Sequence, residues 1–488
     1  MEATTFAVII LIGLFIALFA LHTGIISLII VLVVWLPIQN IVILLLYKMT
    51  DCYECCRPLL VWKEVFLLTG FVYLLLKRKH HCLIFIDYLC LFICIYIFIY
   101  AIIPSGILGV NYPLETRIVG FRTALIPFIL YLFGRLSQIT LLEVRKIIKY
   151  HLVLAVIVVF FGFIEISLPY EFWLSLNYIG FKEQIVKVGI PLGGWSDETI
   201  IFFFAHYGGL WIRRMISTFG SPLHVAYFLI LPIFILFSSV LQKTIVMKKI
   251  NGINTDKILL FLFSIGLIVT LTRGPLLGLL ISLAITSICY VKGKRRITMI
   301  ALAIASVSIF LSIFRQFVMH LFTMTITLED ASAAAHWMAY IDYIERFQGY
   351  IWGIGLGQSG PVGVTYGEGG EIGESLYFTI ASEMGLLGLF SFILVIFLIV
   401  FYLNKENRRN NMPDFLKVMT LALLISTYAY SIGALTTEHW RGFTMSGMYW
   451  FLLGSTIRFH AIYRKNAMFS ERKLSNNLQP TLGKINES

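Results

Sequence analysis

The run LLGLFSFILVIFLIVFY, Leu386 to Tyr402, carries no charge anywhere along its length. With the residues just before it, it makes a segment of about 375 to 402 that can cross roughly 30 Å of hydrocarbon as a helix. Such runs recur almost end to end. The chain has 488 residues, 59% of them hydrophobic and only 13% charged, and its mean hydropathy is +0.88. A soluble chain carries about a quarter charged residues. The apolar runs fall at about 5–21, 25–47, 60–76, 82–103, 120–138, 147–167, 221–241, 257–271, 275–291, 296–314, 375–402, 414–433 and 444–462. They predict an all-α polytopic membrane protein with about 12 to 14 transmembrane helices. Only His22-Thr23-Gly24 separates the first two runs, which is why the count is a range. The first run lacks a basic leader and an Ala-x-Ala exit, so no cleavable signal peptide is expected.

A net charge of +12 would suit nucleic acid, but the positions of the charges argue for membrane orientation instead. Basic clusters occur around Lys77-Arg78-Lys79, Arg145-Lys146, Lys243 with Lys248-Lys249, Lys292 with Lys294-Arg295-Arg296, Lys405 with Arg408-Arg409, and Arg464-Lys465 onward. Every second connection carries one, as the positive-inside rule requires. Residues 104–119, 168–220, 315–374 and 434–443 are then expected on the outer face, with 464–488 as a cytoplasmic tail. No nucleic-acid partner is expected; membrane lipids are.

The largest stretch not built for lipid is 315–374, read as one long outer loop between the runs at 296–314 and 375–402. It contains Trp352-Gly353-Ile354-Gly355-Leu356-Gly357 and ends at Glu374. Of seven cysteines, only Cys52, Cys55 and Cys56 are clustered, and no fourth ligand lies near them, so no metal site is expected. No nucleotide-binding loop or internal repeat is present. Energy for any reaction must therefore come with the substrate.

Ionisable groups at span ends are costly and usually face a cavity, a partner or a path. Arg122, Arg213, Arg214, Arg273 and Glu374 all fall at outer ends by the charge count. A guanidinium fork stays charged at any pH and grips phosphate oxygens in pairs. The glycines at 353, 355 and 357 would let backbone amides approach an anion. The competing readings are that such arginines snorkel to lipid headgroups, and that Glu374 only caps a helix.

Taken in order, these positions resemble the bacterial family of O-antigen ligases and O-antigen or capsule repeat-unit polymerases. The resemblance rests on Arg214-x-x-Ser-Thr-Phe-Gly-Ser-Pro222 and Leu271-Thr-Arg-Gly-Pro-x-x-Gly278. It continues through the Trp-Gly-Ile-Gly-Leu-Gly loop and Glu374-Ser375-Leu376-Tyr377 into Ser382-Glu383-Met384-Gly385. It implies a GT-C-like helical fold in the bacterial inner membrane and glycosyl transfer on the periplasmic side. No cofactor or metal is implied. The donor and acceptor would be oligosaccharides on undecaprenyl pyrophosphate, with a chain-length regulator as a possible partner. Arg214 and Arg273, with Arg122 and Arg213, would hold pyrophosphate. Glu374 would act as general base, and His336, Tyr377, Glu438, His439 and Arg441 would flank the glycan. Glu374 stands where a ligase would carry histidine, which favours a polymerase. His336-Trp337 departs from the pattern, which would place an arginine shortly before that tryptophan. The alternatives are a ligase acting on lipid A core or protein, and a transporter for the same lipid-linked sugars.

Overall fold

The computed structural model describes residues 2–77, 83–103, 105–108, 113–182, 203–207, 210–247, 252, 254–290, 338, 340–341, 345, 351–360, 362–363, 375–409 and 411–483. The run expected at 296–314, His336 and Glu374 lie outside the described residues. In chain order the helices are α1 Glu2–Thr23, α2 Ile25–Thr50, α3 Tyr53–Cys56, α4 Trp62–Leu76, α5 Phe85–Ile102, α6 Leu114–Leu136, α7 Leu141–Ser167, α8 Glu171–Ser175 and α9 Tyr178–Gly180. After a hairpin come α10 Pro222–Gln242, α11 Thr255–Val269, α12 Arg273–Cys289, α13 Leu376–Asn407, α14 Asp414–Gly433 and α15 Phe443–Gly483. Among the described residues, 9 helices are long and apolar enough to cross a membrane. Helices α11 and α12, at 15 and 17 residues, are shorter. Helix α15 runs unbroken past the expected span at 444–462 into the residues read as a tail.

Helices dominate because hydrocarbon offers no water to unpaired backbone groups, and a helix satisfies its own. Among the described residues, the departure from an all-helical chain is the antiparallel hairpin of β1 Phe204–Tyr207 and β2 Leu210–Arg213. Leu11, Phe15 and Phe19 on α1, Ile95 and Phe98 on α5, and Phe390 and Phe397 on α13 are left exposed. Apolar belts of that kind need a lipid covering. Inside, α10 is buried along most of its length between α11 and α14, while α15 lies along α6. That last pair comes close through small residues. A Cβ on Gly134 would stand 2.0 Å from the Phe451 carbonyl oxygen, and one on Gly454 2.0 Å from that of Tyr131.

The described members of the basic clusters gather at one end of the bundle. Arg145 donates to the Ile245 carbonyl at 2.6 Å, Gln138 to that of Lys77 at 3.4 Å, and Arg464 pairs with Glu406. Buried carboxylates staple the same end. Asp87 accepts from Tyr131 at 2.6 Å, Arg135 at 3.1 Å and the Ile84 amide at 2.8 Å. Asp256 accepts from the Val246 and Met247 amides, both at 2.9 Å. Each is a charge that folding must pair, because an unpaired one would cost several kcal/mol.

Candidate functional site

At the opposite end, a cavity of about 600 Å³ opens among the first turns of α4, α6 and α10, the second half of α2 and the turn before α15. That is the size range of a site for a small organic ligand. Its polar lining comes from Gln39, Asn40, Lys63, Glu64, Glu115, Arg122, His224 and Arg441. Lys63 and Glu64 stand on the first turn of α4, where the chain leaves a short 3-10 turn at Arg57–Val61. The Lys63 ammonium donates to the Leu60 carbonyl at 2.8 Å. Glu64 sits between two cations, 3.8 Å from Lys63 and 3.7 Å from Arg122.

Arg441 is fixed from the other side. Its Nη1 donates to Glu383 Oε2 at 2.7 Å, and Glu438 lies 3.9 Å away. Burial alone would lower the Arg441 pKa, but Glu383 and Glu438 outweigh it and raise the group above the ordinary arginine value. The cation is permanent. Glu383 can reach it because α13 is broken at Gly385, whose φ of 67° is not helical. The glycine-rich stretch closes that break: the Leu386 amide donates to the Ile351 carbonyl at 3.1 Å, while those of Ile354 and Gly355 donate to the Ser382 and Glu383 carbonyls at 2.7 and 3.1 Å. The Gly357 amide donates to Glu383 Oε1 at 2.8 Å. Gly353, at φ 81°, must be glycine twice over, since a Cβ there would also lie 2.5 Å from the Gly385 nitrogen. These amides, expected to meet an anion from outside, are used within the protein.

Several polar atoms at the cavity have no hydrogen-bond partner in the protein: Arg441 Nη2, Arg122 Nε, Gln39 Oε1, His224 Nδ1 and both oxygens of Glu64. Arg441 is 7% exposed and Gln39 4%. Buried polar atoms are nearly always paired, so a group of partnerless ones around one space points to a ligand that supplies the partners. The set offers cationic donors together with neutral and anionic acceptors. A plain anion would use the first kind only; a phosphate carrying hydroxyl groups uses both.

No family model and no curated protein matches this chain. The site therefore has to be read from its own chemistry.

The arginines expected to converge are divided. Arg122 lines the cavity, and Arg441, expected on the glycan side, lies there too. Arg214 donates through Nε to the Thr270 carbonyl at 3.1 Å, which seats it against the turn that carries Arg273. Neither Arg214 nor Arg273 is among the cavity's lining. Arg213 is held by Glu165 at 2.8 Å and lies over the rings of Phe203 and Phe204. Glu165 also accepts from Trp173 at 3.3 Å and from the Ile216 and Ser217 amides at 3.0 and 3.3 Å, so this knot anchors the Ile216–Phe219 segment to α7. Tyr377 donates to the Ser431 carbonyl at 2.9 Å, tying α13 to α14. Glu438 accepts from Thr379 as well as pairing with Arg441. His439 is fully buried, stacked on Tyr227 with ring centroids 3.8 Å apart, and burial pushes its pKa down to about 3. Ser375, the first described residue after Glu374, donates to the Ala434 carbonyl at 3.3 Å.

The sequence reading passed over Gln39, Asn40, Lys63, Glu64, Glu115 and His224. Their signal was present, since each is a polar residue in or beside an apolar run, a placement that membrane proteins keep for cavities and partners. It also passed over a pairing: Cys52 and Cys55 form a disulfide between α2 and α4, at the cavity's end of the bundle. Among the described residues no group of three metal-ligating side chains occurs.

Proposed function

We propose that this chain is a glycosyltransferase of the bacterial inner membrane that joins undecaprenyl-pyrophosphate-linked oligosaccharide repeats on the periplasmic side. The observation that carries this reading is the cavity's lining, where Lys63, Arg122 and the free nitrogen of Arg441 can meet a pyrophosphate while Gln39, Asn40 and Glu64 accept from or donate to sugar hydroxyls. A leaving pyrophosphate develops negative charge as the anomeric bond breaks. Fixed cations in a partly dry site stabilise that charge more than water does, and they replace the divalent metal that soluble transferases use for it.

Two further observations support the orientation. The described members of the basic clusters lie at the other end of the bundle, as they would on the cytoplasmic side. The disulfide lies at the cavity's end, and disulfides persist in oxidising compartments outside the cytosol. The order of motifs from Arg214 to Gly388 resembles the ligase and polymerase family, and within it Glu374, where a ligase would carry histidine, favours the polymerase. Arg214 and the turn of Arg273 would then belong to the acceptor's approach or to the scaffold, not to the pyrophosphate grip.

The test is a deletion strain complemented with the wild type or with Arg441→Lys, its surface polysaccharide resolved by length. Loss of long chains with single repeats still attached to the final acceptor is expected. Long chains accumulating on undecaprenyl pyrophosphate would assign ligase activity instead, and an unchanged ladder would refute the use of this cavity.

A further inference from the structure

We propose that His224 takes the proton from the attacking sugar hydroxyl; the inference rests on the glycosyl-transfer reading above. His224 is the third residue of α10, just beyond the Ser217–Pro222 segment that the Glu165 knot holds in place. It lines the cavity, and its Nδ1 is buried with no hydrogen-bond partner. A general base must present a free acceptor atom within reach of the proton it removes.

Among the described residues, the groups around it leave few rivals. From α4 come Lys63 and Glu64, from α6 Glu115 and Arg122, from α2 the neutral Gln39 and Asn40, and from the turn before α15 Arg441. Lys182, beyond α9, is a further charged neighbour, and burial pushes its own pKa down to about 8. Glu64 is engaged by two cations, and Glu115 already has a partner. The arginines stay protonated, and Lys63 is already spent as a donor to the Leu60 carbonyl. His224 is the one imidazole of this lining, a neutral ring whose Nδ1 no protein group occupies.

The step balances as follows. The acceptor O–H bond breaks and its proton moves to Nδ1 of His224, while the oxygen's electron pair forms a bond to the anomeric carbon of the donor. The bond from that carbon to the pyrophosphate oxygen breaks, and its electron pair leaves with undecaprenyl pyrophosphate, held by Lys63, Arg122 and Arg441. His224 then releases its proton to solvent or to the departing phosphate.

The experiment uses the full chain purified in detergent, with lipid-linked repeat extracted from the deletion strain as substrate and undecaprenyl pyrophosphate as the binding probe. His224→Ala should slow chain lengthening on the order of 100-fold or more, within the range general bases contribute, and bind undecaprenyl pyrophosphate within about twofold of wild type. The truncation leaves room for a free base. Added imidazole should restore part of the rate, and substituted imidazoles should follow their basicity. His224→Asn, which keeps a polar side chain of similar reach, should melt like wild type yet remain slow. Wild-type rates in either variant, or a loss that no imidazole restores, overturn the assignment while leaving the transfer reading intact. A wild-type protein that neither binds undecaprenyl pyrophosphate nor lengthens the repeat refutes the transfer reading, and the role of His224 with it.

Discussion

Two arginine–glutamate pairs lie at the same end of this bundle and differ in what faces the guanidinium. Arg213 and Arg441 each hold a fully buried carboxylate, Glu165 and Glu383, at 2.8 and 2.7 Å. Each also leaves guanidinium nitrogens without hydrogen bonds. Those of Arg213 are covered by aromatic rings, with Cζ 4.7 Å from the Phe203 centroid. Arg441 leaves Nη2 alone, and that residue lines an open cavity. A buried ion pair by itself is weak evidence for either stability or function. The neighbour on the free side separates an arginine that anchors a loop from one that can bind.

The pairs can be broken one at a time. Glu165→Ala strands the Arg213 charge and two backbone amides, and should destabilise the protein by about 3–5 kcal/mol. Melting in detergent would register the loss, and proteolysis should reach the 203–219 segment first. Folded molecules should keep their turnover, and a turnover that falls in proportion to nothing but the mutation itself would move this pair into the site. Arg441→Lys sharpens the contrast from the other side. It keeps the charge beside Glu383 but gives up the fork, so melting should move little while turnover drops about 100-fold, the scale of losing one preorganised donor to a developing anion. A thermal shift without a kinetic one would make Arg441 a second anchor like Arg213.

The turn that presents Arg441 should also be acid-sensitive, through His439. Its folded pKa of about 3 lies below the unfolded value of about 6.5. Between those values the unfolded chain binds a proton that the folded chain does not, so stability rises with pH across this window and is lost as pH falls through it. The slope is about 1.4 kcal/mol per pH unit at most. Melting from pH 7 to 4 should therefore fall less steeply in His439→Phe, whose ring can keep the stack on Tyr227, than in wild type. Equal slopes would assign the acid loss to the buried carboxylates instead. Among the described partners of Glu165 there is no histidine, so that knot should not share in this difference.

Much of the scaffold was legible because lipid is a strict solvent. Twenty-residue apolar runs and alternating basic clusters follow from the cost of bare backbone and charge in hydrocarbon, and both were readable one residue at a time. The site was legible only in part, for a different reason. Sequence marks a charged residue near a span end but not the group opposite it. Arg213 and Arg214 are adjacent and identical, yet one is spoken for by Glu165, 48 residues earlier in the chain, and the other by a carbonyl of a turn at Thr270. The glycine series misled for a related reason. Glycines that admit an anion and glycines that admit another backbone look alike, and here Gly353 and Gly357 admit the broken α13 and the N-terminal part of α6. Lys63 and His224 lay in view but outside any motif, and they gain meaning only when α4 and α10 begin around one space.

Arg122 gives the smallest and most discriminating expected effect. It lines the same cavity as Arg441, yet its side chain is 40% exposed and its contact with Glu64 is a long 3.7 Å. An exposed pair of that kind contributes at most about 1 kcal/mol to stability, so Arg122→Ala should melt within a few degrees of wild type. Its charge still faces the space where a pyrophosphate would sit, though screened by water. Loss of it should weaken undecaprenyl pyrophosphate binding roughly tenfold at low salt, and the deficit should narrow as salt rises, because exposed charges are screened over about 10 Å at 0.1 M. The Arg441→Lys deficit should hardly depend on salt, since that group is buried. If both deficits fade with salt together, the cavity is an electrostatic funnel and not a built site, and the contrast between a covered and an open arginine loses its functional half.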